Sequence, residues 1–460
     1  METAKNLKDA VKKKILITEV PAYGNKLFYS LGFLALTCLT ALVVTGLVMI
    51  FFGPAWWLAA PAGMFFRSVH LWAAQALILI VILHVLVVFL TSGFKAPRRL
   101  TWILGAAAFF LILLEAEFGY DLRGDFSSQY RALQAADFFN GAFVGKIVNT
   151  LDYGRVFGIH AIYIPLAVLI MLFCHYLLVK IRGIAKPYRE DIKVKMVPAD
   201  HRKLFARGLA LMLIIIVLAF AFPSPLITPA TIAEVAKENP SLMAGTLIAE
   251  LTRASGTATY LDSIDPYQFD TRTVYVTVPY EQFIAANQTT DQLAAFDNEP
   301  SAMWQQNIND AADYFKNGGA VTIAPDANPL IPAISALVIM AKSGLYESAL
   351  DSEAPDNRPE YSLRFLADTG VLENEASELH ITTGQWGMMR EEKGALPPGA
   401  WWLAPVGFLD HTILANDDNG DRDGAIILGA LAALLVLFPF IPYLNRLPEK
   451  LGLAEKIWKS

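Results

Sequence analysis

Cysteine is scarce in this chain of 460 residues: only Cys38 and Cys174 occur, and both lie inside apolar stretches. Two isolated cysteines of this kind exclude a disulfide framework and a cysteine metal centre. Charged residues are also scarce: they make up 17% of the chain, whereas hydrophobic residues make up 55%. The basic N-terminus is not followed by a short apolar core with a small-residue cleavage site, so we expect no cleaved signal peptide.

Long hydrophobic runs, in contrast, are abundant. About 20 apolar residues are needed to cross the hydrocarbon core of a bilayer, and six runs meet this length. We name them spans A to F, with approximate limits 28–51, 68–91, 101–119, 157–180, 206–224 and 424–443. A seventh run, from Pro329 to Met340, is too short to cross and indicates a core helix of a soluble domain.

Positive charge predicts the orientation of these spans. Lys and Arg cluster in the N-terminus, in the loops between spans B and C and between D and E, and in the C-terminal tail. All four segments fall on one side, which the positive-inside rule identifies as the cytoplasm. We therefore expect a multi-pass protein of the cytoplasmic membrane, in contact with membrane lipid, with both termini cytoplasmic.

The segment between spans E and F differs in composition from the rest of the chain. Residues 226–423 contain 29 Asp and Glu but 10 Lys and Arg. Helical patterns alternate there with β-branched, strand-like runs at Thr273–Val278 and Ala320–Ile323. We predict an all-α transmembrane bundle of about six helices (domain 1–205, span E at 206–225, and 424–460), plus a soluble α+β extracytoplasmic domain at 226–423.

Four histidines lie on two of the predicted spans. His70 and His84 occupy positions i and i+14 of span B, and His160 and His175 occupy positions i and i+15 of span D. At about 100° and 1.5 Å per residue, each pair projects from roughly one face with one member near each leaflet. One intramembrane histidine is readily explained as a polar residue packed in a bundle. Two register-matched pairs favour axial ligation of two b-type haems, His70 with His160 and His84 with His175.

Glycines repeat the same spacing on the neighbouring spans. Gly32 and Gly46 on span A have the i, i+14 relation, as do Gly105 and Gly119 on span C. Small residues allow a flat macrocycle or another helix to approach the backbone. One pair is explained by helix packing alone, whereas two pairs with the histidine spacing point to haem edges.

These features occur with strings that resemble the cytochrome b of cytochrome bc complexes, most closely the chloroplast and cyanobacterial form. The resemblance runs from about residue 26 to residue 225 and includes Arg67-Ser-Val-His-Leu-Trp-Ala73, Gly93-Phe-Lys-Ala-Pro-Arg98 and Phe118-Gly-Tyr120. It implies a di-haem four-helix core. It also implies that Arg67, Arg98 and Arg155 lie near the haems or their propionates, which arginine binds well. A solvated basic loop is the alternative for Arg98.

The sequence departs from the family pattern on the outer side. Asp121-Leu-Arg123 replaces the Pro-Trp of the family, and Pro-Glu-Trp-Tyr does not follow span E. Ser30 stands where the chloroplast form has the cysteine that tethers an extra haem. These departures leave outer quinol oxidation, and electron transfer to a Rieske protein, open.

Three further sites are candidates. Glu115 and Glu117 near the outer end of span C fit either a proton path beside a quinone pocket or carboxylates that reach outward to water. His201, before span E, fits an inner quinone contact or a solvated loop. The alternating oxygen ligands from Asp417 to Asp423 suggest calcium, although an acidic loop without a bidentate Glu is the alternative.

The sequence thus predicts a di-haem cytochrome b subunit of a membrane quinol oxidoreductase. Its expected ligands and partners are quinone and other subunits such as a Rieske protein or a c-type cytochrome, with no nucleic acid. A second interpretation is the membrane anchor and electron conduit of another respiratory dehydrogenase or reductase. A third is an extracytoplasmic receptor or assembly scaffold.

Overall fold

The computed structural model describes residues 17–185, 194–261, 269–353, 360–382, 398–417, 419–452 and 458. Six helical segments of the described chain are long and apolar enough to cross a membrane, which confirms the predicted six-span bundle. Spans A to F run over Leu27–Phe52, Pro61–Leu90, Arg99–Asp121, Tyr153–Arg182, His201–Ala221 and Arg422–Phe440. Span B begins earlier than predicted, at Pro61, because proline is well suited to the first position of a helix.

The spans are regular α-helix with three exceptions, one of which is the 3-10 turn Phe438–Phe440 at the end of span F. Span A starts with a 3-10 turn at Leu27–Ser30, and span D contains a π-helical turn at Ile159–Tyr163. The shorter α-helices are Pro54–Ala59, Phe126–Gly141, Ile232–Glu238, Pro240–Leu251, Gly256–Leu261, Val278–Asn287, Gln292–Asp297, Ser301–Lys316, Leu330–Lys342, Leu345–Glu353, Glu360–Asp368, Val371–Glu378, Ala404–His411 and Leu447–Leu451.

The chain divides into two compact units. The first comprises Met1–Gly119, Gly158–Leu226 and Trp386–Ser460, and the second comprises Tyr120–Phe157 and Ile227–Gln385, with both counted over their described residues. The second unit therefore includes the segment between spans C and D, which the sequence assigned to domain 1–205. It also ends well before residue 423. The predicted domain limits followed changes in composition, which do not reveal that two distant segments fold together.

The first unit holds the membrane spans and one small sheet. Strands β1 (Glu19–Pro21) and β2 (Met196–Pro198) pair antiparallel, with Glu19 opposite Pro198. Midway along span B, the amide of Gln75 donates to the carbonyl oxygen of Pro398 at 2.8 Å and accepts from the Trp401 indole at 2.7 Å. These bonds satisfy a polar side chain that is buried within span B.

The second unit has its own hydrophobic core. The helix Leu330–Lys342 is buried along nearly its whole length, as expected for the short apolar run at 329–340. The segment between spans C and D joins this core through Phe126 and Tyr130. The backbone amide of Phe126 donates to the carbonyl oxygen of Ile227, and the Tyr130 hydroxyl donates to Glu373 at 2.8 Å. These bonds explain why the two segments form one unit.

The two strand predictions for this region are wrong. Thr273–Thr277 forms a π-helical turn that continues into the helix Val278–Asn287, and residues 320–323 have no regular secondary structure. Tyr275 and Val276 are both buried although they are adjacent, so burial does not alternate as it would in a half-exposed strand. Among the described residues of the second unit all regular elements are helical, and the expected β component is not found there.

Glu250 is an unusual buried carboxyl group in this second unit. Its side chain is fully buried and accepts a hydrogen bond from the Ser255 hydroxyl at 2.8 Å. Burial, reinforced by the neighbouring Asp368, raises the pKa of Glu250 to about 9. At neutral pH the protonated acid is therefore favoured, because an ionised carboxylate would lose its hydration.

Candidate functional site

The structure brings the outer histidines together. His70 of span B and His160 of span D have ring centroids 6.2 Å apart and ring planes inclined by 64°. His84 and His175 lie further along the same two spans, His84 on span B and His175 on span D. Both pairs lie within the first unit, and each joins the two helices that the sequence analysis selected.

The unequal spacing of the two pairs has a local structural cause. His160 lies in the π-helical turn Ile159–Tyr163, where the amide of Ile164 donates to the carbonyl of Ile159. A π turn accommodates one additional residue within an α-helix. Pro165 follows directly, and its lack of an amide proton disfavours an unbroken α-helix at this point. The π turn thus absorbs the additional residue of span D, so that His160 and His175 are separated along their span much as His70 and His84 are along span B.

Hydrogen bonds fix the proton of the outer histidines on Nδ1. The Nδ1 of His70 lies 2.8 Å from the Thr45 hydroxyl, which itself lies 2.8 Å from the carbonyl oxygen of Ala41. The single hydroxyl proton is donated to that carbonyl, so the hydroxyl accepts from His70. The Nδ1 of His160 lies 3.0 Å from the carbonyl oxygen of Glu115, which can only accept.

The inner pair follows the same rule where a partner is described. The Nδ1 of His175 donates to the carbonyl oxygen of Thr101 at 2.9 Å. In these three imidazoles the proton occupies Nδ1, which leaves the lone pair of Nε2 for a metal. Such a fixed tautomer is characteristic of metal-binding histidines.

The distance between the outer rings fits an iron atom held between them. Typical metal–imidazole bonds of about 2.0–2.1 Å on each side, added to the distance from ring centre to Nε2, give a centroid separation of about 6 Å. The observed 6.2 Å agrees. The residues therefore fit a haem with two axial histidines.

The four glycines lie beside the imidazole rings. A Cβ atom built on Gly105 or Gly119 would be 2.9 Å from Cε1 of His175 or His160, respectively. The corresponding distances at Gly32 and Gly46, to His84 and His70, are 3.5 Å. The sequence analysis assigned these glycines to haem edges. The structure shows that they lie against the imidazole rings themselves, with the least space on span C.

The three arginines have different surroundings. Arg67 is buried on span B, and its guanidinium donates to the carbonyl oxygen of Pro225 at 2.9 Å. Arg98 donates to the carbonyls of Arg182 and Ile184, at 2.9 and 3.1 Å, where span D ends. Arg155 belongs to the second unit, where its guanidinium lies 3.3 Å from the Asp152 carboxylate. Arg98 therefore caps the end of span D, and its predicted place near a haem stays a prediction.

The outer departure from the family pattern forms a buried ion pair. Arg123 donates to Asp125 at 2.8 Å, and both side chains are almost fully buried. Asp125 and Ser128 form a reciprocal capping box at the start of helix Phe126–Gly141. The guanidinium of Arg131 lies over the Tyr120 ring, 4.2 Å from its centroid. The polar residues at this position therefore start a helix of the second unit.

The remaining candidates do not converge on one site. His201 begins span E, next to Asp200, which caps the helix through the amide of Lys203. In the acidic loop, Asp423 pairs with Arg422, and no three His, Cys, Asp or Glu side chains come together to hold a metal anywhere in the described chain. Asp418 and the side chain of Asp421 lie outside the described part of this loop, and calcium binding stays a prediction. Glu115, in contrast, contacts His160, because its Oε1 atom lies 3.1 Å from Nδ1 of that residue. The role suggested for Glu117 stays a prediction.

The sequence of this chain is similar to those of known proteins. Residues 75–234 match the family model described as Cytochrome b(N-terminal)/b6/petB. The chain is 32% identical to cytochrome b6 of Synechocystis sp. over 201 residues, which is 39% of this chain and 90% of that protein. A solved structure described as a hyperthermophilic respiratory Complex III covers 79% of this chain and 98% of its own, with 18% identity and a TM-score of 0.41.

The span bundle and its histidine pairs define a membrane-embedded haem-binding electron-transfer protein. The chain belongs to the cytochrome b/b6 family. It is accordingly a haem-binding, multi-pass oxidoreductase subunit of the type found in cytochrome bc complexes. Three features of its site were not anticipated from the sequence: the π turn around His160, the Thr45 hydroxyl, and the contact between Glu115 and His160. A β-branched residue followed by Pro165 was the only available signal for the first.

Proposed function

We propose that this chain is the di-haem subunit of a membrane quinol oxidoreductase, with His70 and His160 as axial ligands of an outer haem and His84 and His175 as those of an inner one. The observation that carries the proposal is the 6.2 Å separation of the outer rings, each with its proton fixed on Nδ1. Each haem would supply a one-electron carrier, and two axial histidines leave no open coordination position.

The protein residues contribute position and exclusion. Thr45 and the carbonyls of Glu115 and Thr101 orient three imidazoles, so that their Nε2 atoms are directed to a metal without reorganisation. Spans A and C leave room for the rings at their glycines. The resulting arrangement connects the two leaflets and suits electron transfer between a quinone and a redox partner.

The orientation of the chain is supported by both charge and fold. Between the C–D segment and the E–F segment the chain crosses the membrane twice, through spans D and E, so both segments emerge on the same side of the membrane. Their joint folding in the second unit requires this. The basic loops lie on the opposite side, which we assign to the cytoplasm. The second unit would then be extracytoplasmic, in a cytoplasmic membrane with both termini inside.

The partner on the outer side would be a soluble or anchored electron carrier, such as a Rieske protein or a c-type cytochrome. Residues 226–423 have a surplus of 19 acidic over basic residues. A field of this sign raises the encounter rate with basic proteins and is screened by salt. The full-length chain in nanodiscs should bind a basic c-type cytochrome, with an affinity that falls as the salt concentration is raised. Binding that is indifferent to salt would exclude electrostatic docking.

One observation favours a second function, in which the chain has an inner quinone site but no working outer quinol site. The buried Arg123–Asp125 pair begins in the segment Asp121–Arg123 that replaces the family's Pro-Trp motif, and its capping box follows directly. An outer quinol site built on that motif would therefore be altered. The chain would then conduct electrons for another dehydrogenase or reductase through an inner quinone site, for which His201 at the start of span E is a candidate. A co-purifying Rieske protein would distinguish the two circuits.

The ligand assignment is tested by removing one histidine from each pair. His160→Ala should abolish one low-spin haem and retain the other, and His84→Ala should abolish the second. His201→Ala is the matched control and should retain both, because His201 lies outside the pairs. The measurement is protohaem per chain by pyridine haemochrome, with low-temperature optical spectra. Retention of two low-spin haems in His160→Ala would contradict the assignment.

A further inference from the structure

The second unit exposes large apolar side chains in one short stretch between spans C and D. Phe143 is 81% exposed and Ile147 is 73% exposed, the two highest values among the large hydrophobic residues described in this unit. Val144 lies between them and is also exposed. We call residues 142–148 the apolar tip. Clustered apolar side chains that face outward mark a surface that another apolar phase covers.

The backbone of the apolar tip turns Phe143 outward against its own preference. Helix Phe126–Gly141 ends just before the tip, and Phe143 adopts a left-handed conformation with a φ of 62°. Glycine is the usual residue at such a helix end, because it has no Cβ atom to clash. The phenylalanine side chain is exposed as well. Neither burial within the chain nor backbone preference therefore accounts for a phenylalanine at this position.

The apolar tip is fixed to the first turn of span D. The Arg155 guanidinium donates to the carbonyl oxygen of Lys146 at 3.0 Å and lies 3.3 Å from the Asp152 carboxylate. On the other side, a side chain on Gly145 would overlap the side chain of Asn140, so the turn packs tightly onto the preceding helix. The tip thus stays at the level at which span D begins.

The length of span D relates this level to the bilayer. Span D contains 30 residues, which correspond to about 45 Å of helix at about 1.5 Å per residue. A bilayer with both of its headgroup regions is about 40–45 Å thick. A helix of this length reaches from one headgroup region to the other. Arg155, on its first turn, and the apolar tip that Arg155 holds therefore belong at the headgroup level.

The charge of the tip suits lipid better than a basic protein. Lys146 is the only charged residue from Phe138 to Leu151, whereas the long segment 226–423 is rich in Asp and Glu. A basic partner that is attracted to those acidic residues finds no carboxylate in the tip. Phosphate groups of lipids, in contrast, attract lysine, and aromatic and aliphatic side chains enter the boundary between headgroups and acyl chains.

We propose that the apolar tip inserts into the lipid headgroup region and anchors the second unit to the membrane beside the start of span D. Phe143 and Ile147 enter the apolar side of this region, and Lys146 approaches the lipid phosphates. The partner of this surface is phospholipid. The proposal goes beyond electron transfer, and it depends on span D as a membrane crossing but not on the haem ligands.

The test is fluorescence quenching in the full-length chain, in nanodiscs of phosphatidylcholine and phosphatidylglycerol with bromine atoms on the acyl chains. Each variant has one cysteine, labelled with the fluorophore NBD, in a cysteine-free background. Leu345→Cys is the matched control, because Leu345 is 61% exposed in the same unit but lies outside the tip. The label at Phe143→Cys should be quenched at least about threefold more strongly than the label at Leu345→Cys.

Ile162→Cys provides the upper reference for quenching. Ile162 is 55% exposed on span D, and it lies two residues after His160, so it points away from the side of that histidine. The label at Phe143→Cys should approach the quenching of this reference. Quenching at position 143 no stronger than at position 345 would overturn the proposal. Shielding of the label only after a partner subunit is added would also overturn it, in favour of a protein contact.

A second experiment keeps the label in place and removes the apolar side chains. The label is carried by Val144→Cys, with Phe143 and Ile147 either unchanged or both replaced by serine. The double replacement should reduce quenching of the Val144→Cys label several-fold, because serine gains nothing from the lipid boundary. Equal quenching with and without the two apolar residues would contradict their role as the anchor. Haem content, which tests the ligand assignment, should be the same in both.

Discussion

Gly119 permits a sharp prediction, because the space beside it is already taken. A methyl group there would be 2.9 Å from Cε1 of His160 and 3.5 Å from both ring nitrogens, whereas ordinary contact begins at 3.4 Å. The ring must therefore move by several tenths of an ångström. His160 is held at Nδ1 by two oxygens of Glu115, on the same helix as the new methyl group. It cannot yield without loss of those bonds.

The expected magnitude follows from two opposing effects. Overpacking of this kind costs about 1–3 kcal/mol, and the helical preference of alanine over glycine returns about 1 kcal/mol. The cost falls on the position of the ligand, so Gly119→Ala should lose or weaken the outer haem before it unfolds the chain. At Gly46 the methyl group would make an ordinary contact of 3.5 Å with His70. Gly46→Ala is thus the matched control and should be the milder variant.

The assay is protohaem per chain, with the ferric low-spin EPR signal of each haem. Gly119→Ala should reduce haem content toward one per chain or alter one low-spin signal. Two haems with unchanged spectra in Gly119→Ala would refute the reasoning. An equal loss of haem in Gly119→Ala and Gly46→Ala would instead show that Gly46 on span A leaves room for the haem macrocycle.

The remaining predictions concern stability and topology. The pKa of Glu250 is raised from 4.5 to about 9 in the folded state, so between pH 4.5 and pH 9 the folded chain binds one proton more than the unfolded chain. The free energy of unfolding should therefore fall as the pH rises through this window, by at most about 1.4 kcal/mol per pH unit. Glu250→Gln should flatten this dependence of the thermal midpoint, and an unchanged slope would be contrary evidence. Thr45→Val leaves the buried Nδ1–H of His70 without its acceptor and should lower the free energy of unfolding by about 1–3 kcal/mol. The control Thr45→Ser keeps the hydroxyl and should have the thermal midpoint of the unchanged chain. In a cysteine-free background, a cysteine at Asp291 should react with an impermeant thiol reagent in intact cells and one at Lys203 should not; the reverse pattern would invert the topology.

The membrane spans were predictable because their signal is strong and local. A run of about 20 apolar residues has few interpretations, and helical periodicity places the two histidines of each span on roughly one face. The match between the i, i+14 and i, i+15 spacings could not be completed from periodicity. It depends on the π turn at Ile159–Tyr163, which changes the helical register by one residue.

The second unit was less predictable because its structure depends on distant partners. Thr273–Val278 has the β-branched composition of a strand, but Tyr275 and Val276 are buried together in a helical core. Tertiary context overrides β propensity in such cases. The participation of Phe126 and Tyr130 was equally invisible, since their partners Ile227 and Glu373 follow only after spans D and E.

The contact between Glu115 and His160 illustrates the same limit within the site. The sequence identified both residues but not their pairing, because residues on two different spans are related only by the packing of spans C and D. Hydrogen-bond partners of this kind follow from helix rotation and side-chain rotamer. Neither is encoded in a repeat that periodicity can detect.

The account depends most directly on the number of haems per chain. The measurement is the ratio of protohaem to protein in the purified full-length chain, by pyridine haemochrome and quantitative amino-acid analysis, with EPR to establish the spin state. Two protohaems per chain, both low-spin, are predicted from the pairs His70–His160 and His84–His175. A ratio of one or zero in fully loaded protein, or a high-spin haem with an open position, would contradict the four-histidine assignment.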